Sequence, residues 1–145
     1  MLMGLRFLNS LVASAMLASL PTALSAQTAS PPGATVYIIS PMDGETVTSP
    51  FKVQFGLTGM GIAPVGVQAN NTGHHHLIID TKLSEEELKR PIAVDAQHVH
   101  FGGGQTEATV TLPPGRHTLQ LVLGDHAHTP HNPPVTSQVV TVTVR

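Results

Sequence analysis

Phe51-Lys52-Val53-Gln54-Phe55-Gly56-Leu57 carries an apolar side chain at every second position, the period of a half-buried strand and not of a helix. The pattern extends outward from there. Tyr37, Ile38 and Ile39 centre an earlier run, and Leu77, Ile78 and Ile79 a later one. Thr106 to Leu112 alternates, Leu119, Leu121 and Leu123 share one face, and a last run from Val135 to Val144 aligns Val140, Val142 and Val144. Pro and Gly separate these runs at spacings that suit strands. The expectation is an all-β domain, an immunoglobulin-like antiparallel β-sandwich of about seven strands. With no cysteine and no tryptophan in the chain, the likeness to immunoglobulin domains is one of architecture only.

The 145 residues suffice for one core. Arg6 precedes an apolar stretch from Phe7 to Leu20, and small residues follow at Ala23, Ser25 and Ala26, which reads as a secretory signal over residues 1–26. Residues 27–33, built from Gln, Thr, Ala, Ser, Pro and Gly, read as a flexible linker, and residues 34–145 as the single domain. Cleavage after Ala26 leaves six basic and nine acidic side chains, hence a net charge of −3. The expected location is periplasmic or secreted, with no transmembrane segment once the signal is removed.

Composition excludes several functions. Without cysteine there is no disulfide, thiolate zinc site, cysteine-ligated copper centre or c-type haem attachment. Outside the signal the aromatics are Tyr37, Phe51, Phe55 and Phe101, too few for stacking platforms, and a negative net charge opposes nucleic-acid binding. The one helix signal is Ser84 with Glu87 three residues later, a capping box ended by Pro91. Glu85, Glu86 and Glu87 at that start are read as solvated groups favoured by the helix dipole, not as catalytic acids.

The informative residues are the nine histidines, all between His74 and His131. Eight form three clusters: His74, His75 and His76; His98 and His100; His126, His128 and His131. In a Greek-key sandwich three of the loops emerge at one end; the triple histidine opens a strand there, His98 and His100 precede the Gly102–Gly104 turn and the third cluster lies in a loop, so the clusters are expected to converge. His-x-His on extended backbone aims both rings from one face, which applies to His98 with His100 and to His126 with His128. Leu77 and Ile79 are expected to face the core, taking His75 with them and leaving His74 and His76 together on the other face. His117, at the start of its strand, falls at the opposite pole and is read as structural.

The candidate metal ligands are therefore His74, His76, His98, His100, His126, His128 and His131. A nitrogen-rich set without thiolate suits copper first and zinc second. Met60 lies near the histidine end, where its thioether could add a soft ligand for Cu(I), and Met42 at the other, with packing the expected role of both. Asp125 could orient a ligating ring, coordinate directly or stabilise its turn.

The motifs Gly73-His-His-His-Leu-Ile-Ile-Asp80, His100-Phe-Gly-Gly-Gly-Gln-Thr-Glu107, Pro114-Gly-Arg-His-Thr-Leu-Gln-Leu121 and Gly124-Asp-His-Ala-His-Thr-Pro-His-Asn-Pro-Pro-Val135 resemble the domain of unknown function family 4399. The resemblance runs from about Thr35 to Arg145. It implies a small exported bacterial domain and carries over no activity or catalytic residue. His98-Val99-His100 followed by Phe-Gly also resembles the copper-binding strand of copper-zinc superoxide dismutases, but their disulfide cysteines are absent and the other histidines are arranged differently.

Three functions compete: an exported metal-binding protein that sequesters or delivers copper without a catalytic step; a metal-independent structural module of the cell envelope, with an envelope protein as partner; and a copper or zinc metalloenzyme. Neither a His-Glu-x-x-His run nor a Gly-x-Ser-x-Gly elbow is present.

Overall fold

The computed structural model describes residues 26–145; the expected signal lies outside the described residues, except for Ala26. Nine strands form two sheets: β1 (Thr35–Ser40), β2 (Thr46–Val47), β3 (Phe51–Thr58), β4 (Gly61–Ile62), β5 (Thr72–Ile79), β6 (His98–His100), β7 (Glu107–Val110), β8 (Gly115–Gly124) and β9 (Val140–Val144). The small sheet has the order β1-β3-β7; the large one runs β2-β9-β8-β5-β4, with β6 also paired to β5. The fold is an all-β sandwich. Among the described residues no helix is long and apolar enough to cross a membrane.

Alternation explains the layers. Val36, Phe51, Val53 and Phe55 from the small sheet meet Leu77, Ile79, Leu119, Leu121, Leu123, Val140, Val142 and Val144 from the large one in a single buried cluster. The second strand of the reading is thus β3, and its odd-numbered residues fill the core from Phe51 to Phe55.

The triple histidine opens its strand as expected, β5 starting two residues earlier at Thr72. Several details differ from the expectation. His98 to His100, expected in a loop, pair antiparallel with β5 as β6. β2 and β4 are two-residue strands that join parallel to β9 and β5. The run from Val135 to Val144 is divided: β9 begins at Val140, and before it Ser137 donates from its backbone to Leu121 O while its hydroxyl accepts from Leu121 N. The capping box forms as expected, with Ser84 N donating to Glu87 Oε2 at 2.8 Å, and leads into a single 3-10 turn, Glu87–Lys89.

Over β5 the outer face of the large sheet is not left to water. β5 is buried on both faces from Gly73 to Ile79. Ile78 and Val122 of that outer face pack with Ile92 and Leu83 from the excursion between β5 and β6. This excursion, with the segment after β8, makes a partial third layer, and the histidines lie beneath it.

Residues 27–30, expected to be a flexible linker, are fastened to the segment after β8. Ala29 bridges Asn132, Gln27 Nε2 donates to Leu88 O and Pro130 O at 2.8 and 2.9 Å, and Thr28 Oγ1 donates to Asp125 Oδ2 at 2.7 Å. Polar composition argues against burying apolar area, but it supplies the donors for such hydrogen bonds. Met60 packs against the core as expected, whereas Met42 is exposed.

Candidate metal centre

Antiparallel register decides which rings meet. His76 of β5 stands opposite His100 of β6 and Val122 of β8, and His74 stands opposite Gly124. Directly opposed residues project to the same side of a sheet, so His74, His76 and His100 share the outer face. His128 reaches them from the segment that follows β8. The ring centroids lie 4.8 Å apart for His74 and His76, 5.0 Å for His74 and His100, 5.1 Å for His76 and His100, and 4.2 Å for His100 and His128. One nitrogen from each of the four rings falls within 4.8 Å of all the others.

Close backbone makes room for them. A Cβ at Gly124 would lie 2.6 Å from Cε1 of His76, and one at Gly102 would lie 2.3 Å from Cε1 of His100. Both distances are far inside van der Waals contact, so each ring rests on a bare glycine.

His74 and His76 are fully buried, and His100 and His128 half-buried. Both ring nitrogens of His74 and of His76, and Nε2 of His100, are buried with no hydrogen-bond partner among the described residues. Such atoms cost roughly 1 to 3 kcal/mol each when nothing compensates their lost hydration. Burial, reinforced by the neighbouring rings, lowers the pKa of His74 to about 4 and that of His76 to about 3. Burial and then His128 lower that of His100. These three imidazoles are neutral at physiological pH, the form in which nitrogen donates to a metal.

The other histidines have different surroundings. His98 projects from the same face as His100, two residues along, but is taken by Asp95, its Nδ1 donating to Oδ1 at 2.8 Å. His126 places its Nε2 3.4 Å from Gln68 Nε2 at the surface. His131 is buried with Nε2 donating to Thr72 O at 3.1 Å. None of these three joins the group of four. His75 faces the core as expected, its ring 5.1 Å from that of Phe55; burial lowers its pKa to about 4. His117 lies at the far end of β8, its Nδ1 donating to Asp80 Oδ2 at 2.7 Å and its Nε2 to Pro113 O at 2.9 Å.

Asp125 stays outside the ring group and holds its turn. Oδ1 accepts from Ala127 N at 2.8 Å and Thr129 N at 3.0 Å, and Oδ2 from the Thr28 hydroxyl. Burial opposes its ionisation, but these donors outweigh burial and keep the carboxyl below its ordinary range.

No curated protein and no solved structure matches the chain. A family model does, over residues 53–145, a span that runs from within β3 to β9 and holds every histidine of the group. The chain therefore belongs to the family described as domain of unknown function (DUF4399).

Proposed function

We propose that this is an exported metal-binding protein that holds one copper ion, or zinc in second place, through His74, His76, His100 and His128, and that it sequesters or hands on that ion without catalysing a reaction. The observation that carries the reading is the set of buried ring nitrogens of His74, His76 and His100 without hydrogen-bond partners, to which the His128 ring of a third segment comes within 4.8 Å. Nitrogens bound at about 2.0 to 2.1 Å from one ion stand roughly 3.3 to 3.4 Å apart in a tetrahedral site, so the widest pair of the group, within 4.8 Å, needs to close by about 1.5 Å.

The donor set supports copper. Four imidazoles with no thiolate and no carboxylate suit Cu(II) or Zn(II), and at a nitrogen site copper is favoured by intrinsic affinity. His74, His76 and His100 need shed no proton at neutral pH. Export follows from the apolar stretch after Arg6 and the small residues at Ala26.

Calorimetric titration of untagged protein with Cu(II), and separately with Zn(II), tests the reading. One high-affinity event is expected, weakened at least tenfold by His76→Ala, His100→Ala or His128→Ala alone, with double variants non-additive. Independent weak events, each subtracted by one substitution, would transfer the histidines to the metal-independent envelope module.

A further inference from the structure

Three of the four rings are carried by strands, and the fourth is not. His74 and His76 are fixed by β5 and His100 by β6. His128 sits in the segment after β8, and its own backbone has a φ of +65°, the left-handed region that non-glycine residues rarely enter. Something must hold it there.

The segment does so only in part by itself. His128 N donates to Asp125 O at 3.0 Å, and Asp125 N to Thr129 O at 2.8 Å. Asp125 Oδ1 takes the Ala127 and Thr129 amides on either side of His128. From the third layer, Ile92 N donates to His128 O at 2.9 Å.

The remaining support comes from nearly a hundred residues away in the chain. Thr28 Oγ1 donates to the second oxygen of Asp125, which fixes the rotation of the carboxylate whose first oxygen shapes the turn. Gln27 Nε2 spans Leu88 O and Pro130 O, joining the third layer to the segment two residues beyond His128. Asn132 N donates to Thr28 O at 2.9 Å and Ser30 N to Asn132 O at 3.2 Å, which closes the attachment. Residues 27–30 thus form a strap over the turn that presents His128.

We infer that Gln27 and Thr28 are positioning residues of the metal centre, acting through Asp125 and the 125–131 turn to hold the His128 ring against His74, His76 and His100. This inference rests on the proposed metal-binding reading. It adds to it that the site is completed from outside the matched family region, by a segment that sequence composition reads as a linker. The strap's side-chain hydrogen bonds go to Leu88, Asp125, Pro130 and Pro133, and none goes to a ring of the group. Its effect is on the geometry of one ligand out of four.

The test uses the full mature chain and Cu(II) alone as the probe. Thr28→Val, which removes the hydroxyl and keeps the shape, should weaken Cu(II) about tenfold, and Thr28→Ser, which keeps the hydroxyl, should restore it. Adding Thr28→Val to His128→Ala should cost nothing more, since the strap acts only through that ring. Electron paramagnetic resonance should count one fewer coupled nitrogen in Thr28→Val than in wild type. Gln27→Ala repeats the experiment at an independent hydrogen bond.

Wild-type binding with Thr28→Val unchanged in affinity and nitrogen count would overturn the strap while sparing the metal reading. A Thr28→Val loss that adds fully to that of His128→Ala would also overturn it, by showing a general effect on the fold. Wild-type protein that binds no Cu(II) would sink both. Hydrogen exchange of the 126–129 amides in the metal-free protein then says whether the strap holds the turn at all.

Discussion

The two ends of β8 hold histidine in opposite ways. At Gly124 the neighbouring rings of His74 and His76 have no hydrogen-bond partner and are held neutral by burial. Seven residues away, about 23 Å along the strand, His117 gives both ring nitrogens to oxygen acceptors, and the Asp80 hydrogen bond raises its pKa. A ring that donates from both nitrogens is an imidazolium, already satisfied and unable to ligate. Partnerless neutral rings are the reverse, costly in the fold; His75 is one too, but it faces the core beside Phe55, whereas His74 and His76 face other rings. Geometry separates the converging histidines from the hydrogen-bonded ones here where residue type cannot.

The largest effect expected from that contrast is metal-linked stabilisation. A ligand at a thousand times its Kd stabilises by about 4 kcal/mol, so saturating Cu(II) should raise the Tm of wild type by many degrees, and His76→Leu should abolish the rise. Gly124→Ala should do the same, because its methyl would lie 2.6 Å from His76 Cε1. In metal-free protein the two ends should then differ in sign. His76→Leu removes a buried ring without partners and should be neutral or stabilising, by up to about 1 kcal/mol. His117→Leu removes two hydrogen bonds and should cost roughly 1 to 2 kcal/mol, discounted for the half-exposed carboxylate, with the Cu(II) isotherm unchanged. Urea unfolding of both variants checks this, and the same sign in both would break the comparison.

The pH dependence should also run in opposite directions. Rings with folded pKa values of about 4 and about 3 take up protons more readily once unfolded, so metal-free stability should fall as the pH drops from about 6.5 through 4. His117 is raised; its contribution is complete below about 6.5 and is lost as the pH climbs through its folded pKa. Urea midpoints from pH 4 to 9 should show both limbs in wild type, and the alkaline limb should flatten in His117→Leu. The smallest effect is expected at His126, which is outside the group: His126→Ala should change stability by less than about 0.5 kcal/mol and Cu(II) affinity not at all.

Much of the sandwich was legible because alternation is a property of single strands: Phe51 to Leu57 and Leu119 to Leu123 state their own faces. The split of the triple histidine was legible for the same reason, since Leu77 and Ile79 fix where His75 must point. Membership of the ring group was less so. His98 and His100 share a face, but they lie about 6.6 Å apart along the strand, so only one can stand opposite His76, and register between strands is not written in either strand alone. His126 and His128 are likewise equivalent as sequence; the left-handed φ of His128 and the bonds to Asp125 separate them. The strap escaped because composition reports how little apolar area a segment can bury, and hydrogen-bond donors do not register on that scale.

The third layer over β5 bears on how this domain can be edited. Connections at the surface of a sandwich ordinarily accept insertions and shortening at little cost. The excursion between β5 and β6 carries Ile92 and Leu83 onto Ile78 and Val122, and the amide of Ile92 holds His128. Shortening it would admit water to a buried sheet face and loosen the turn that carries His128 in one step. A graft of the four histidines onto another sandwich would need this cover transplanted with them, and a fusion partner is better inserted at the exposed turn around Met42.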